Sequence, residues 1–399
     1  MASDTLKSAD FSDAERRLAQ QLAGLDAGLR ARLHGAGFDA NRLLKLAASI
    51  GDASAPDAAV RREARNRVEG DVRGPAEGDI LVAERPGSAE HARLVAIGDA
   101  ALESGELAFC VMAGGMATRM GGVVKALVEA FDGRTFLDLR LAENRTAAAR
   151  AKKTVPLWLM TSDATDAPIK EALLARKAPA HVTTFMQDLG VRLTLEGTLF
   201  LGPDGAPSTY ATGHGDLPDA LRRSGLLASF RAGGGKYVWI ANLDNLGASI
   251  DAAILGKFID AGTDVMVEVC DKRAGDRGGI PVHAQGRLQV LEEFRLPRTF
   301  DASSVRVFNT NTFLVRADAL ETASIPSTFF EVEKKVNDKP AIQFERLLQE
   351  LTAKLPSAYL RVPREGLASR FLPVKDHDEL EKRRADIEAV ARGRGMVTG

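Results

Sequence analysis

The spacing of hydrophobic positions changes near residue 107. Before it, apolar residues recur at helical intervals. Ser12 with Glu15 forms a capping-box pattern ahead of an amphipathic segment that runs to about His34, and Gly35 and Gly37 stop it. The helical period continues over residues 41–50 and 58–68. Residues 70–87 are rich in Gly and Pro and read as a connector. Ser88 can cap a further helix running through Leu102. From Leu107 onward, short β-rich apolar runs alternate with helical segments. The pattern predicts strands at 107–113, 155–161, 181–186, 237–241 and 264–269. It predicts helices at 135–152, 164–177 and 250–261. Hairpins are expected at 192–201 and 281–292, with Gln285-Gly286 as the second turn. Residues 376–391 form a charged helical end.

Alternation of this kind implies an open α/β sheet with right-handed crossovers. In such sheets ligands sit at the carboxyl ends of the strands. That rule puts Gly114-Gly115, the Asp163 region, Gln187 and residues 242–245 on one rim. The linear division is an N-terminal helical region (1–75), an α/β core (76–375) and a C-terminal helix and tail (376–399).

Composition narrows the function classes. The 399 residues are 45% hydrophobic and 27% charged with a net charge of -1, so neither nucleic acid nor an anionic membrane is expected as partner. Only two cysteines occur, Cys110 and Cys270, both inside apolar runs; they read as buried thiols of a reducing compartment. No apolar run approaches the roughly 18 residues of a membrane span. The first residues, MASDTLKSADFSDAERR, have no signal-peptide core. A cytoplasmic protein is expected.

Five stretches carry candidate chemistry. The run LAFCVMAGG ends in Gly114-Gly115 and is followed by Thr118, Arg119, Gly121-Gly122 and Lys125. Backbone N–H groups at such a loop, with Arg and Lys nearby, make a polyphosphate cradle; an ordinary turn with solvated cations is the competing reading. In ATGHGD, His214 lies between two glycines on a loop whose backbone can approach a ligand. YVWIANLDNLGAS ends a strand in Asn242, Asp244 and Asn245; Asp244 there suits a hard cation bridging phosphates, or simply caps the next helix, as Ser249 also could. In RVFNTNTFLV, Asn309 and Asn311 alternate with apolar residues, as if two amides faced one side. Lys375 closes SRFLPVK, with Pro373 stiffening the backbone before it.

Taken in order, these motifs resemble the UDP-sugar pyrophosphorylases, most closely the branch that acts on glucose 1-phosphate. The resemblance runs from about residue 107 to 375 through MAGGMATRMGGVVK, TFLDLRLAENR, PLWLMTSDAT, TGHGD, ANLDNLGASID, KRAGDRGG, VLEEFRLP, FNTNTF and SRFLPVK. It implies an α/β nucleotide-sugar transferase (Rossmann-like) mixed sheet flanked by helices, without the C-terminal β-helix of eukaryotic members. It implies formation of UDP-glucose and pyrophosphate from UTP and glucose 1-phosphate with Mg²⁺.

The resemblance also assigns roles. Met112, Ala113, Gly114 and Gly115 would contact UTP through backbone, while Arg119 and Lys125 would hold phosphates. Gln187 would read the uracil and Gly213 would pack on it. His214 and Asn311 would bind the sugar phosphate, with Asn309 and Glu292 near the sugar. Asp244 would hold Mg²⁺ beside Asn242, and Lys375 would sit on the reacting phosphate. Three departures stand out. Ala117 replaces the usual second glycine of the loop, residues 122–124 replace its first lysine with one residue deleted, and Ala113 stands where the glucose branch often has Asn. The altered loop at 117–124 motivates one alternative, a non-catalytic nucleotide-sugar-binding protein; the near alternative is the same chemistry on another sugar 1-phosphate, such as N-acetylglucosamine 1-phosphate.

Overall fold

The computed structural model describes residues 12–51, 53–117, 120–273, 275–322 and 328–397. Contacts gather the chain into two units that differ from the linear segments 1–75, 76–375 and 376–399. One comprises Met1–Arg67, Gln187–Asp216 and Ser327–Leu347; the other comprises Val68–Met186, Leu217–Pro326 and Leu348–Gly399.

In the first unit the expected capping box at Ser12 and Glu15 forms, but the helix Asp13–Ala23 ends well before His34. Gly24 closes it, and Asp26 opens a second helix, Ala27–Gly35, by accepting the Leu29 N–H on its carboxylate. Helices Ala40–Ile50 and Ala58–Asn66 follow. The buried Glu331 carboxylate, on the hairpin Phe330–Val336 and Lys339–Glu345, accepts from Arg62 and Arg65 of the last helix. Leu189–Val191 pairs with Thr209–Ala211. Between these two strands, the expected turn at 192–201 is marked by the bridge between Leu193 and Leu199.

The second unit holds an eight-stranded sheet. Its strands are β1 (Ile80–Val82), β2 (Leu107–Met112), β3 (Leu157–Thr161), β4 (Val182–Met186), β5 (Tyr237–Asn242), β6 (Val265–Asp271), β7 (Val307–Arg316) and β8 (Ser357–Arg361), in the spatial order β1-β8-β6-β7-β5-β2-β3-β4. Only β7 runs antiparallel to its neighbours. Every residue of β2 and β3 is buried, as befits parallel strands covered on both faces. The remaining sheets among the described residues have two or three strands, and none forms a β-helix.

Two helices on this sheet, Ala89–Glu103 and Ala252–Ala261, pack backbone to backbone. A Cβ on Gly98 would lie 2.0 Å from the Ala252 carbonyl oxygen, and one on Gly256 would lie 1.9 Å from that of Leu94. Asp251, rather than Ser249, caps the second of these helices. The charged C-terminal helix spans His377–Gly393 behind an Asp376 cap.

Candidate active site

The carboxyl ends of β2 and β5 are in register, with Asn242 opposite Met112. The antiparallel β7 begins at the same rim, because Val307 pairs with Asp271. Motifs far apart in the chain therefore arrive together by sheet topology.

After Met112 and Ala113, Gly114 is half-buried and Gly115 exposed, and a Cβ on Gly115 would meet nothing. The loop expected from the sequence is a tight hairpin: Met116-Ala117 pairs antiparallel with Val123-Val124. Gly121 and Gly122 turn it with φ of 84° and 75°, a left-handed geometry that glycine adopts without strain. Ala117 is buried within it. The hairpin returns Lys125 beside its starting point, where the Lys125 N–H donates to the Gly115 carbonyl at 3.3 Å. Arg119 and Thr118 lie outside the described residues.

Lys125 Nζ donates to Asp244 Oδ2 at 2.7 Å. The same oxygen accepts the Val374 N–H at 3.1 Å. Asn245 reinforces this junction: its Nδ2 donates to the Arg370 carbonyl, and its Oδ1 accepts the Leu372 N–H at 2.7 Å. Asp244 thus ties the glycine hairpin to the arm that carries Lys375. Lys375 itself is exposed, with its backbone N–H on Glu379.

A second chain of bonds starts from Asn242, whose Oδ1 accepts from Asn311 Nδ2 at 3.0 Å. The expected alternation of Asn309 and Asn311 is corrected by a bulge. Register shifts between Glu268 and Val269, and Asn311 takes φ of 60°. The extra residues turn Asn311 toward Asn242, and its N–H bonds Asn309 Oδ1 at 2.8 Å. Asn311 Oδ1 is buried and has no partner among the described residues. The Asn309 N–H donates to the Gly279 carbonyl, and the Gly279 N–H reaches the Glu292 carboxylate. Burial pushes Glu292 above the usual carboxylate range, against that N–H and the Gln349 amide at 2.6 Å.

Gln187, Gly213 and His214 belong to the other unit. Gln187 is buried. The glycines of TGHGD are explained by chain packing: Gly213 has φ of 112°, and a Cβ on it would lie 2.5 Å from the Arg346 carbonyl oxygen. One on Gly215 would lie 2.4 Å from the Leu347 nitrogen. The imidazole of His214 is crowded by protein atoms, and burial pushes it down to about 4, with Glu345 acting in the opposite direction. Beneath the loop, Thr212 donates to Asp216 at 2.5 Å, and Arg346 lies 3.3 Å from Asp216 and 3.8 Å from Asp188.

Among the described residues no group of three His, Cys, Asp or Glu side chains could hold a metal. The donor set still fits Mg²⁺, which takes one or two carboxylates and completes its shell with waters and substrate phosphates. Asp244 is such a carboxylate, and it bonds a cationic group, the Lys125 ammonium, at 2.7 Å.

Known proteins resemble this chain in sequence and in fold. The family model described as UTP--glucose-1-phosphate uridylyltransferase matches residues 93–395. A protein of that name from Pyrus pyrifolia is 33% identical over 301 residues, covering 70% of this chain and 62% of the relative. One from Encephalitozoon cuniculi is 30% identical over 289 residues, covering 69% and 57%. The chain therefore spans about three-fifths of the length of these curated relatives. The fold is similar to that of a UDP-glucose phosphorylase from Trypanosoma brucei, with a TM-score of 0.70 at 22% identity over 94% of this chain and 79% of that one. The fold is that of the UDP-sugar pyrophosphorylases, and the chain belongs to the UTP--glucose-1-phosphate uridylyltransferase family.

Gly279 and the helix Phe136–Ala151 were not singled out as site residues from sequence, and Asn245 was placed on the rim without a role. The signal in that helix was legible: Arg140, Glu143 and Asn144 recur at helical spacing on its buried face.

Proposed function

We propose that the chain transfers the uridylyl group of UTP to glucose 1-phosphate, giving UDP-glucose and pyrophosphate. An oxygen of the sugar phosphate attacks the α-phosphorus, a new P–O bond forms, and the bond to the β-phosphate breaks. The second pKa of a phosphate monoester is about 6, so the nucleophile is ionised at neutral pH and needs no general base. The barrier is repulsion between polyanions: like unit charges 4 Å apart cost about 4 kcal/mol at an effective dielectric of 20. Gly114 and Gly115 offer backbone N–H groups, Lys125 offers charge at Asp244, and Lys375 follows the Val374 N–H that bonds the same carboxylate. Arg119 is assigned to the phosphates on motif order alone. Mg²⁺ held on Asp244 would supply Lewis-acid charge neutralisation.

The same reading assigns the uracil to Gln187 and Gly213, and the sugar phosphate to His214 and Asn311. Asn309 and Glu292 are assigned to the sugar hydroxyls, where an amide can donate and accept and a carboxylate can accept. The two buried free thiols support a cytoplasmic setting, and no described helix is long and apolar enough to cross a membrane.

The observation that carries this reading is the Lys125–Asp244–Val374 junction, which joins three of the family's motifs at one carboxylate. A panel of sugar 1-phosphates with UTP and Mg²⁺, followed by pyrophosphate release, tests it. Glucose 1-phosphate is expected to be the best acceptor. Faster turnover with N-acetylglucosamine 1-phosphate would reassign the sugar. UDP-glucose binding by calorimetry without any turnover would make the chain a binding protein.

A further inference from the structure

The helix Phe136–Ala151 buries an arginine with none of its surface exposed. Arg140 does not simply pair with Glu143, whose Oε2 it meets at 2.6 Å. Its Nη2 donates to the carbonyls of Asn242 and Asn245, both at 2.7 Å, and its Nε donates to that of Leu243 at 3.1 Å. Nη1 also reaches the Ala248 carbonyl at 3.5 Å. The other carboxylate oxygen of Glu143 accepts the Ile250 N–H at 3.0 Å. One arginine–glutamate pair therefore gathers the backbone of residues 242–250. The guanidinium also sits over the Phe109 ring of β2 at 5.5 Å, which ties the clamp to the strand leading into the glycine hairpin.

We infer that Arg140 is a positioning residue: it fixes the backbone on either side of Asp244, so that the carboxylate faces Lys125 and the Val374 N–H. Asp244 has its neighbours' carbonyls on the guanidinium and its own side chain on the reactive junction. Buried carbonyls need donors, and a planar fork with five N–H groups serves several at once, whereas an ammonium cannot match that geometry.

The inference rests on Asp244 serving the proposed reaction, so the test separates the two. Arg140→Lys keeps the charge and loses the fork. The expected result is a kcat lower by about tenfold or more with the KM for UTP nearly unchanged, the signature of misplaced groups. The half-saturating Mg²⁺ concentration should rise with it. Independently of turnover, amide hydrogen exchange over residues 242–250 should quicken by about tenfold while the other strands keep their protection. Should Arg140→Lys not fold, Glu143→Gln, which keeps an acceptor for Ile250 and weakens the hold on Arg140, should give the same split at smaller size. Unchanged kcat and unchanged exchange in 242–250, or exchange quickened equally throughout the sheet, would overturn the inference. An inactive wild type would refute the proposed reaction only, and the exchange comparison would still decide the role of Arg140.

Discussion

His214 and Asp216 stand two residues apart with opposite displacements from their ordinary ranges. Burial holds the His214 imidazole near 4, so it is neutral at physiological pH and can accept a hydrogen bond from a ligand without carrying charge. An NMR titration of the histidine ring protons should place one midpoint far below the usual 6.5; a midpoint at or above 6.5 for His214 would contradict this environment. Burial and the neighbouring Asp188 raise Asp216, while Arg346 and Thr212 work the other way. The folded pKa then exceeds the unfolded value of about 3.9, so the stability carried by the Asp216 proton is full below that pH and is lost as pH rises through the folded value. Asp216→Asn should therefore gain stability relative to the natural chain as pH goes from 5 to 8, read as urea midpoints at the two pH values. An equal loss at both would show that the charge of Asp216 on Arg346 dominates instead. Such partners were invisible in the sequence. TGHGD showed two glycines and a histidine, but its glycines answer to Arg346 and Leu347, more than a hundred residues away.

The elements themselves were legible where periodicity decided them. The runs at 107–113 and 237–241 had the length and composition of buried strands, and Ser88 capped its helix as expected. Failures came where a local device overrode the period. Asp26 restarted a helix that hydrophobic spacing alone carried to His34. The bulge in β7 broke the alternation of Asn309 and Asn311, because a left-handed residue has no signature in a pattern of polar and apolar positions. The hairpin at 116–124 was read as a loop because its strands are only two residues long. The contact between helices Ala89–Glu103 and Ala252–Ala261 gave no sign beyond two glycines. Gly256→Ala should force those helices apart and destabilise the fold by about 1–3 kcal/mol, the usual cost of overpacking. Unfolding in denaturant checks this, and an unchanged midpoint would mean that the helix pair yields freely.

At the scale of the whole chain, the sheet topology places the FNTNT strand, the DNLG turn and the glycine hairpin at one rim of the second unit, with the Lys375 arm bonded there. The order of motifs showed the family, but not that Asp244 spans Lys125 and the Val374 N–H, nor that a buried arginine grips the turn from beneath. The central claim is that Asp244 and Lys375 act as parts of one catalytic assembly. Pyrophosphate release by Asp244→Asn, Lys375→Ala and the double variant measures it most directly, since groups that work as a unit are strongly non-additive. Each single change should lower kcat by about a hundredfold or more, and the double variant should lose little beyond the worse single one. Losses that multiply in the double variant, or a single variant with undiminished turnover, would contradict the account.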